Sequence, residues 1–563
     1  MKFSRHYLGL ALAIVVGTTL RFWNLDFKPL WLDEVITALF TLGRSYHDVI
    51  LDVVFPVNRL EQIFTFNPAT SCGEIARTLA TQSTHPPLFF CLIHAWLKAS
   101  LFGSVKHGWV WILRSLPALF GVGAIAAVYW LNRVAFSPKA GLMAAALMAV
   151  SPFGVYISQE ARHYTLPVLL ITLSLSALIQ IQQDLQRQKL RSLVCLSWVA
   201  FNTIGLYVHY FFIIALLAQL ATILVFIYNA KIKSLRFRLL AFGFWLLPFI
   251  FFIPWLPVLL GHFGRPETSW VPPPENIAPL YQTLAAWLLM VIALPVENQP
   301  LWIAIPLSLL MLVFGSWLGW YAFQGVRQLW RNSATHLATL TLGIFILFVL
   351  LQFFAIVYLL GKDITIAPRY NFVYYPAICA LLGASLVSKG AGERGSGKRS
   401  AITDRQFAIV TVLLVGIISC VFVVHDWAFQ KPYNPQRVAQ DMLSEPASPL
   451  MVVMGYDDSQ DMALGLSFAL AIHKFDSDKC KITAEACPKF AFFNRSSGYD
   501  SVWQNLSQLP TPSTLPLSLW VVAPGLRRRD YPPQLALSSQ ATCTIDPDEY
   551  HRIGIPYQLY RCQ

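Results

Sequence analysis

The sequence predicts a polytopic α-helical membrane protein with about eleven transmembrane helices and a C-terminal extracytoplasmic α/β domain. The 563 residues are 56% hydrophobic and only 13% charged, whereas soluble domains have about 25% charged residues. Basic residues lie in short loops between apolar segments, the positive-inside pattern of a multi-pass protein. The net charge of +13 therefore indicates a lipid bilayer, and not a nucleic acid, as the partner.

The first span follows a short basic N-terminus. Lys2 and Arg5 precede an apolar run at 8–20, and no small-residue cleavage motif follows it. We therefore predict an uncleaved helix with its N-terminus in the cytoplasm. The large loop 22–108 then lies outside, and the apolar segment 86–102 within it is short for a ~30 Å hydrocarbon core. We expect that segment to lie along the outer interface.

Loop charge orients the later spans. Residues 187–191 carry three basic side chains, and 389–405 is a basic, Gly-rich linker, so both are placed in the cytoplasm. Segment 281–295 is ambiguous by its own composition, and this alternation favours a second helix there that does not cross the membrane. The last span, 407–424, returns the chain to the outside. We therefore expect residues 1–424 to form a transmembrane catalytic domain.

Residues 425–563 have the pattern of a small soluble α/β domain. Short apolar runs predict buried strands and amphipathic stretches predict helices, in the order helix 435–444, strand 451–455, helix 461–473, strand 517–523 and strand 557–562. The composition of this part is that of an extracytoplasmic domain rather than of further spans.

Eight of the nine cysteines fall into two groups. Cys480, Cys487, Cys543 and Cys562 lie in the C-terminal domain, where an oxidising compartment permits disulfides with three possible connectivities. Because the first two are only a short loop apart, we predict the pairs Cys480–Cys487 and Cys543–Cys562. Cys91, Cys195, Cys379 and Cys420 lie in apolar segments and are expected to be small buried hydrophobic residues.

Two adjacent carboxylates, Asp33 and Glu34, follow the first span within the stretch RFWNLDFKPLWLDEVIT at 21–37. Placing a carboxylate near hydrocarbon costs several kcal/mol unless the carboxylate has a partner or a functional role. An ordinary interfacial loop with tryptophans in the aromatic belt would explain an isolated pair. The pair is not isolated, because other polar groups occur at the outer ends of several spans.

These outer-face side chains combine cations, imidazoles, an acid and aromatic hydroxyls. They are His85, Arg114, Glu160, Arg162, His163, Tyr164, His209, Tyr210, Arg369 and Tyr370. Each alone has a structural explanation, such as a cation that reaches the interface. Together they suit a reaction between a membrane-held anion and an extracytoplasmic nucleophile. No Cys/His group has metal-ligand spacing, and no Gly-rich phosphate loop occurs.

The order of motifs resembles that of the polyprenyl-phosphate-sugar-dependent glycosyltransferases of the GT-C superfamily. The similar group is the family-39-like one, with protein O-mannosyltransferases and aminoarabinose transferases. The resemblance is carried, between Arg21 and Pro376, by R-x-x-x-L, LWLDE, HPPL, RSLPALFG, SQEARHY, LYVHYFF and PRYNFVYYP. It implies a GT-C fold in the plasma (inner) membrane and an inverting transfer of a sugar from a polyprenyl-phosphate donor to an extracytoplasmic protein, lipid or glycan.

The resemblance also implies roles for individual residues. Asp33, with Glu34 beside it, would activate or orient the acceptor. Arg369 is the preferred clamp for the donor phosphate because a guanidinium is bidentate. Further phosphate-binding candidates are Arg162, Arg114 and His85, and substrate-binding candidates are Glu160, Tyr164, His209, Tyr210 and Tyr370. Where the family loop can carry an Asp this chain has Tyr164, which leaves open whether a divalent metal binds. Because a monophosphate leaving group needs less charge neutralisation than a pyrophosphate, we expect no obligatory cofactor.

Two alternatives stay open at this point. A transporter or flippase for a lipid-linked sugar would place its polar groups near mid-membrane on broken helices. An O-antigen-ligase-type GT-C enzyme would use a pyrophosphate-linked oligosaccharide. The sequence leaves the sugar, the polyprenol and the acceptor undetermined.

Overall fold

The computed structural model describes residues 2–101, 108–229, 235–265, 271–388, 398–444, 449–476, 480, 486–510, 515–538 and 541–563. The chain forms two compact units. The first contains Met1–Phe27, Thr84–Phe89 and His107–Phe429, and the second contains Lys28–Ser83, Phe90–Lys106 and Gln430–Gln563. Residues 389–397 of the linker expected in the cytoplasm lie outside the described residues.

Helices dominate the chain. In order they are α1 (Lys2–Phe22), α2 (Leu32–Thr41), α3 (Leu60–Ile63), α4 (Cys72–Gln82), α5 (Leu88–Leu101), α6 (Trp109–Ala135), α7 (Pro138–Ala149), α8 (Pro152–Ser158), α9 (Thr165–Gln186), α10 (Ser192–Val208), α11 (Phe212–Asn229), α12 (Leu235–Phe252), α13 (Leu256–His262), α14 (Ala278–Leu289), α15 (Leu301–Arg331), α16 (Ser333–Leu359), α17 (Tyr375–Val387), α18 (Lys398–Val424), α19 (Pro435–Met442), α20 (Ser459–Asp476) and α21 (Tyr499–Ser507). The strands are β1 (Phe55–Pro56), β2 (Leu450–Tyr456), β3 (Lys489–Asn494), β4 (Leu517–Val522), β5 (Gln534–Leu537), β6 (Ala541–Ile553) and β7 (Ile555–Cys562).

Seven helices within the described residues are long and apolar enough to cross a membrane. They are α6, α9, α11, the helical stretch Gly243–His262, α15, α16 and the stretch Arg405–Val424 of α18. The pair α7 and α8, bent by 59° at its break, makes an eighth when counted as one span. This number is lower than the eleven expected, because apolar helices such as α10 and α17 have only 17 and 13 residues. The prediction of a polytopic helical membrane protein is confirmed.

Two helices that we expected not to cross are short. The 14 residues of α5 span about 21 Å and the 12 residues of α14 about 18 Å, at a rise of about 1.5 Å per residue. Both lengths fall below the ~30 Å of a hydrocarbon core. The lengths therefore agree with the expectation for segments 86–102 and 281–295.

Small residues set the packing of the first unit. Helix α6 packs against α7 and α9, and α7 also packs against α17. A β-carbon added to Gly383 of α17 would lie 2.7 Å from the Cα atom of Ala144 in α7. Such small side chains let helix backbones approach where lipid supplies no hydrophobic driving force between helices. By contrast, only 11% of the apolar window of α15 is buried.

The second unit is built on a seven-stranded sheet with the order β1-β3-β2-β4-β7-β6-β5. Strand β2 pairs in parallel with β3 and β4, whereas the remaining pairs are antiparallel. The strands expected at 451–455, 517–523 and 557–562 are confirmed as β2, β4 and β7. The sequence interpretation missed the other four strands.

The first loop belongs to this sheet. Strand β1 pairs with β3, and flanking residues extend the contact: Asp52 N donates to Phe492 O at 2.9 Å and Val57 N to Pro488 O at 2.9 Å. Helix α2 packs on α20. The expected division, with the whole loop 22–108 in the transmembrane domain, is therefore corrected. Most of the loop folds with the C-terminal residues because it completes their sheet edge and covers their helix.

Disulfides follow the prediction in the C-terminal domain, where Cys480 bonds to Cys487 and Cys543 to Cys562. The expectation for Cys91 is wrong: it bonds to Cys72 and joins α4 to α5. The pair was not predicted because Cys91 lies in an apolar segment, whereas its partner Cys72 lies on a different, more polar helix. The other three apolar-segment cysteines, Cys195, Cys379 and Cys420, are free and buried as expected.

Candidate active site

His85 is brought to the first unit by the double proline that follows it. A residue before proline is restricted to extended conformations, so the chain turns from an extended segment directly into α5, which starts at Leu88. His85 Nε2 lies 3.2 Å from Arg162 Nη2. The HPPL and SQEARHY motifs, well separated in the sequence, therefore meet through these two side chains.

Three imidazoles continue from this contact. The ring centroids of His85 and His163 are 5.0 Å apart, and those of His163 and His209 are 4.5 Å apart. His163 lies in the loop between α8 and α9, and His209 directly follows α10. The ring of Phe372 packs on the last of these imidazoles, with its centroid 4.8 Å from that of His209 and the two planes tilted by 52°.

Arg369 adds a second guanidinium. It lies in the 3₁₀ turn Pro368–Val373, half-buried, with its Cζ atom 5.5 Å from the ring centroid of Tyr370. Its charge contributes to a lowered pKa of His163, so the two groups lie within electrostatic range. We call His85, Arg162, His163, His209 and Arg369 the cationic cluster. Four separate segments of the chain contribute to it.

The imidazoles of the cationic cluster are neutral near pH 7. Burial lowers the pKa of His163, and the neighbouring His209, Arg162, His85 and Arg369 lower it further. Burial and the Arg162 charge lower the pKa of His85 as well. Burial, His85 and Arg162 act in the same direction on the pKa of His209. Since the arginines stay protonated, the cluster presents guanidinium groups of a kind that binds anions.

Tyr210 belongs to a hydrogen-bonded group beside this cluster. Its hydroxyl lies 2.9 Å from His262 Nδ1 and accepts a 3.0 Å hydrogen bond from Trp255 Nε1. Burial raises the pKa of Tyr210 to about 12. His262, at the end of α13, also contributes to the lowered pKa of His85. Sequence reasoning missed His262 and Trp255, although an imidazole at a span end was the signal used for His209.

The other first-unit candidates are buried in structural contacts. Arg114 of α6 donates from Nη1 to Leu25 O at 2.9 Å. Glu160 O accepts from Arg162 N at 2.7 Å. Tyr164 is the residue directly before α9. The ring centroid of Tyr164 lies 5.9 Å from the Cζ atom of Arg162. These contacts place Glu160 and Tyr164 next to the cationic cluster in sequence and in space, and they give Arg114 a role in holding the end of the first span.

Asp33 and Glu34 belong to the second unit, in the first turn of α2. Acids are favourable at a helix N-terminus because they face unpaired N–H groups. Glu34 is only 1% exposed, whereas Asp33 is half-buried. The two adjacent carboxylates therefore differ in exposure, and Asp33 is the one that a bound molecule could reach.

Residues that follow the last span surround this turn. The Lys431 ammonium lies 4.5 Å from the ring centroid of Trp31, the residue that precedes α2. Burial raises the pKa of Tyr433, and the charges of Asp461 and Asp33 raise it further. Asp33 thus lies within electrostatic range of the start of the C-terminal domain. No group of three or more His, Cys, Asp or Glu side chains among the described residues could hold a metal ion.

The fold and the cationic cluster define a multi-pass membrane protein with a buried, positively charged site at the ends of its helices. Residues 84–257 match the family described as dolichyl-phosphate-mannose-protein mannosyltransferase. That match contains His85, Arg162, His163, His209 and Tyr210. No curated protein sequence matches the chain.

Solved structures share the whole fold. ArnT from Cupriavidus metallidurans bound to undecaprenyl phosphate is 11% identical with a TM-score of 0.50, over 98% of this chain and 97% of that chain. The same protein in the apo state is 12% identical with a TM-score of 0.51, over 99% and 98%. The family match over residues 84–257 and the fold shared with ArnT both agree with the resemblance to GT-C glycosyltransferases that the motifs predicted.

Proposed function

We propose that this glycosyltransferase moves a sugar from a polyprenyl-phosphate donor to an extracytoplasmic protein, lipid or glycan. The observation that carries the proposal is the convergence of two arginines and three imidazoles in the cationic cluster. A lipid-linked phosphate is an anion that reaches helix ends in a membrane, and Arg is well suited to phosphate oxygens. The matched family and the ArnT complex, both named for polyprenyl phosphates, support this donor class.

The cluster suits the change in charge during transfer. In the donor, the phosphate is a diester with one negative charge. When the bond between the anomeric carbon and the phosphate oxygen breaks, polyprenyl phosphate leaves as a monoester, which carries nearly two charges at pH 7. Arg369 and Arg162 stabilise that additional charge in the transition state. Neutral His85 can contribute a hydrogen bond without an extra proton.

Asp33 acts on the acceptor in this proposal. Its carboxylate takes the proton of an acceptor hydroxyl or amine as the new bond forms at the anomeric carbon. Attack from the side opposite to the phosphate inverts the configuration in a single displacement. Glu34, buried in α2, positions the turn that carries Asp33 and does not meet the acceptor. No metal ion is required for a monophosphate leaving group in this scheme.

The proposed setting is the plasma (inner) membrane, with the N-terminus in the cytoplasm and the second unit outside. Three disulfides in that unit support an oxidising compartment, because such bonds are rare in the cytosol. The transporter alternative has no covalent step and offers no use for Asp33. The glycosyltransferase family match favours the enzyme over it.

Mass spectrometry of membrane glycolipids and glycoproteins tests the function. A strain that lacks this chain should lose one sugar modification and accumulate a polyprenyl-phosphate sugar. Wild-type protein should restore the modification, and Arg369→Ala, expressed at the same level, should not. An unchanged set of glycans in the deletion strain would contradict the proposal, and loss of a pyrophosphate-linked oligosaccharide transfer would favour the ligase-type alternative.

A further inference from the structure

A buried arginine occupies the break between α7 and α8. Arg21 is 1% exposed and lies in the last turn of the first helix, α1. Its Nη2 atom donates to Met148 O at 2.9 Å, and its Nη1 atom donates to Ala149 O at 3.1 Å and to Gly17 O at 3.0 Å. A buried guanidinium is tolerated only where hydrogen bonds replace water. Here, main-chain carbonyls accept from both terminal nitrogens of the guanidinium.

The break explains why these carbonyls need a donor. In a continuous helix, Met148 O would accept from the N–H of residue 152, but residue 152 is a proline and has none. The 59° bend between the two helices also turns the α7 end away from α8. Arg21 therefore replaces the hydrogen bonds that the bend removes and fixes the last turn of α7.

Two glycines make room for the guanidinium. A β-carbon on Gly154 would lie 3.2 Å from Arg21 Nη2 and 2.7 Å from the hydroxyl of Tyr375. A β-carbon on Gly121 would lie 2.9 Å from Arg21 Nε and would clash with Ser158 Oγ. The side chain of Arg21 is thus enclosed by α6 and by the seven-residue helix α8.

A second tether connects the other end of α8 to α1. Gln159, which follows α8, donates from Nε2 to Trp23 O at 2.8 Å and to Leu20 O at 3.4 Å. Arg21 therefore holds the end of α7 that leads into α8, and Gln159 holds the end of α8, both through the same end of α1. The chain continues directly from Gln159 into Arg162 and His163 of the cationic cluster.

We infer that Arg21 is a positioning residue: with Gln159 it sets the direction of α8 and so aims Arg162 and His163 at the donor phosphate. The inference rests on the proposed function. Arg21 touches no substrate in this scheme and acts through the α7–α8 break. Loss of the Arg21 guanidinium should leave the fold in place, while the loop 159–164 should lose its fixed orientation.

The test uses purified full-length protein in lipid nanodiscs and undecaprenyl monophosphate as the probe. Arg21→Lys keeps the charge but replaces the two terminal nitrogens that reach the α7 carbonyls with a single one, so the Kd for the probe should rise about 10-fold or more. Gln159→Leu should do the same. Gly154→Ala, which crowds the guanidinium without removing it, supplies a further variant if Arg21→Lys does not fold.

Asn132→Leu is the matched control. Asn132 is another fully buried side chain that bonds to helix carbonyls, Ala140 O and Ala380 O, at the opposite end of α7. It should lower the Tm and leave the Kd unchanged. Equal Kd values in wild type, Arg21→Lys and Gln159→Leu would overturn the positioning role. If the wild type does not bind the probe, the proposed donor class fails instead, so the two failures are distinguishable.

Discussion

Arg162 Nη2 lies 3.2 Å from His85 Nε2, across 77 residues of sequence. A guanidinium has only donors, so Nε2 of His85 must accept and the proton of this imidazole must be on Nδ1. The contact therefore requires a neutral His85, in agreement with its lowered pKa. It fixes a site in which arginines carry the positive charge and imidazoles are held neutral beside them.

The first prediction concerns stability against pH. The pKa values of His85, His163 and His209 are lowered in the fold from an ordinary value of 6.5. Below pH 6.5 the unfolded chain therefore binds more protons than the folded one, and stability falls as the pH falls. We expect the Tm in detergent to be constant above about pH 7 and to drop between pH 6.5 and 5, measured by intrinsic fluorescence.

Binding of an anion should reduce this acid sensitivity. A phosphate beside the imidazoles favours their protonated form, so binding takes up protons and strengthens as the pH falls. Undecaprenyl monophosphate should raise the Tm more at pH 6 than at pH 7.5, and His163→Gln should weaken the pH dependence. A Tm that declines toward pH 5 equally in wild type and His163→Gln would contradict the assignment.

The second prediction separates a phosphate clamp from a snorkelling cation at Arg369. Arg369→Lys keeps the charge but loses the bidentate fork, and should reduce donor binding by roughly 1–3 kcal/mol. Arg369→Ala should cost more. Donor affinity and turnover are measured for both variants, with Arg331→Lys, at the far end of α15, as the control. A silent Arg369→Lys change would falsify the clamp.

Local pattern was enough to predict the helical class, three sheet strands and two of the disulfides. The C-terminal strands were visible because runs such as 517–523 are continuously apolar. Strand β1 was not, because two residues become a strand only through their pairing with β3. The membership of the first loop in the second unit rests on the same long-range pairing.

The candidate site shows a similar division. His85, Arg162, His209 and Arg369 could be named from motifs at span ends, since ionisable groups at such positions need a reason. The distances between these side chains could not be predicted, because each side chain comes from a different segment of the chain. The buried contacts of Arg21 and Arg114 could not be predicted either. Their partners are main-chain carbonyls, which every residue type has, so the sequence does not indicate where they lie.

The third prediction concerns the disulfide between Cys72 and Cys91. It closes a loop with a sequence separation of 19, and loops of that length stabilise a fold by about 3 kcal/mol in the chain-entropy account. Replacing both cysteines by alanine should lower the Tm of the purified protein by several degrees. Cys195→Ala, a free buried cysteine, is the control for loss of a thiol. An unchanged Tm in the double variant would mean that the bond does not form.

The fourth prediction places the second unit outside the cytoplasm. Asp500 lies in the first turn of α21, and Asp500→Cys should react with a membrane-impermeant maleimide in intact spheroplasts. A cysteine introduced at Arg331, in the last turn of α15, should react only after lysis. Labelling of residue 500 only after lysis would reverse the orientation and move the proposed site to the cytoplasmic face.

The last prediction concerns the base. Asp33→Asn keeps the shape of the side chain and removes its proton-accepting carboxylate, so transfer should fall about 10²-fold or more. Donor binding should not change, because the phosphate contacts belong to the cationic cluster. Asp33 is half-buried and Glu34 is 1% exposed, so Glu34→Gln should act mainly on the Tm.

Single-turnover transfer and undecaprenyl monophosphate affinity, measured on the same preparations, distinguish the two acids. Asp26→Asn, an exposed acid of the first loop, is the control and should resemble wild type in both. A 10²-fold slower transfer with unchanged affinity, confined to Asp33→Asn, is the outcome that general-base help requires. Full turnover in Asp33→Asn with loss in Glu34→Gln would move the proton acceptor to Glu34, and full turnover in both would remove carboxylate catalysis from the mechanism.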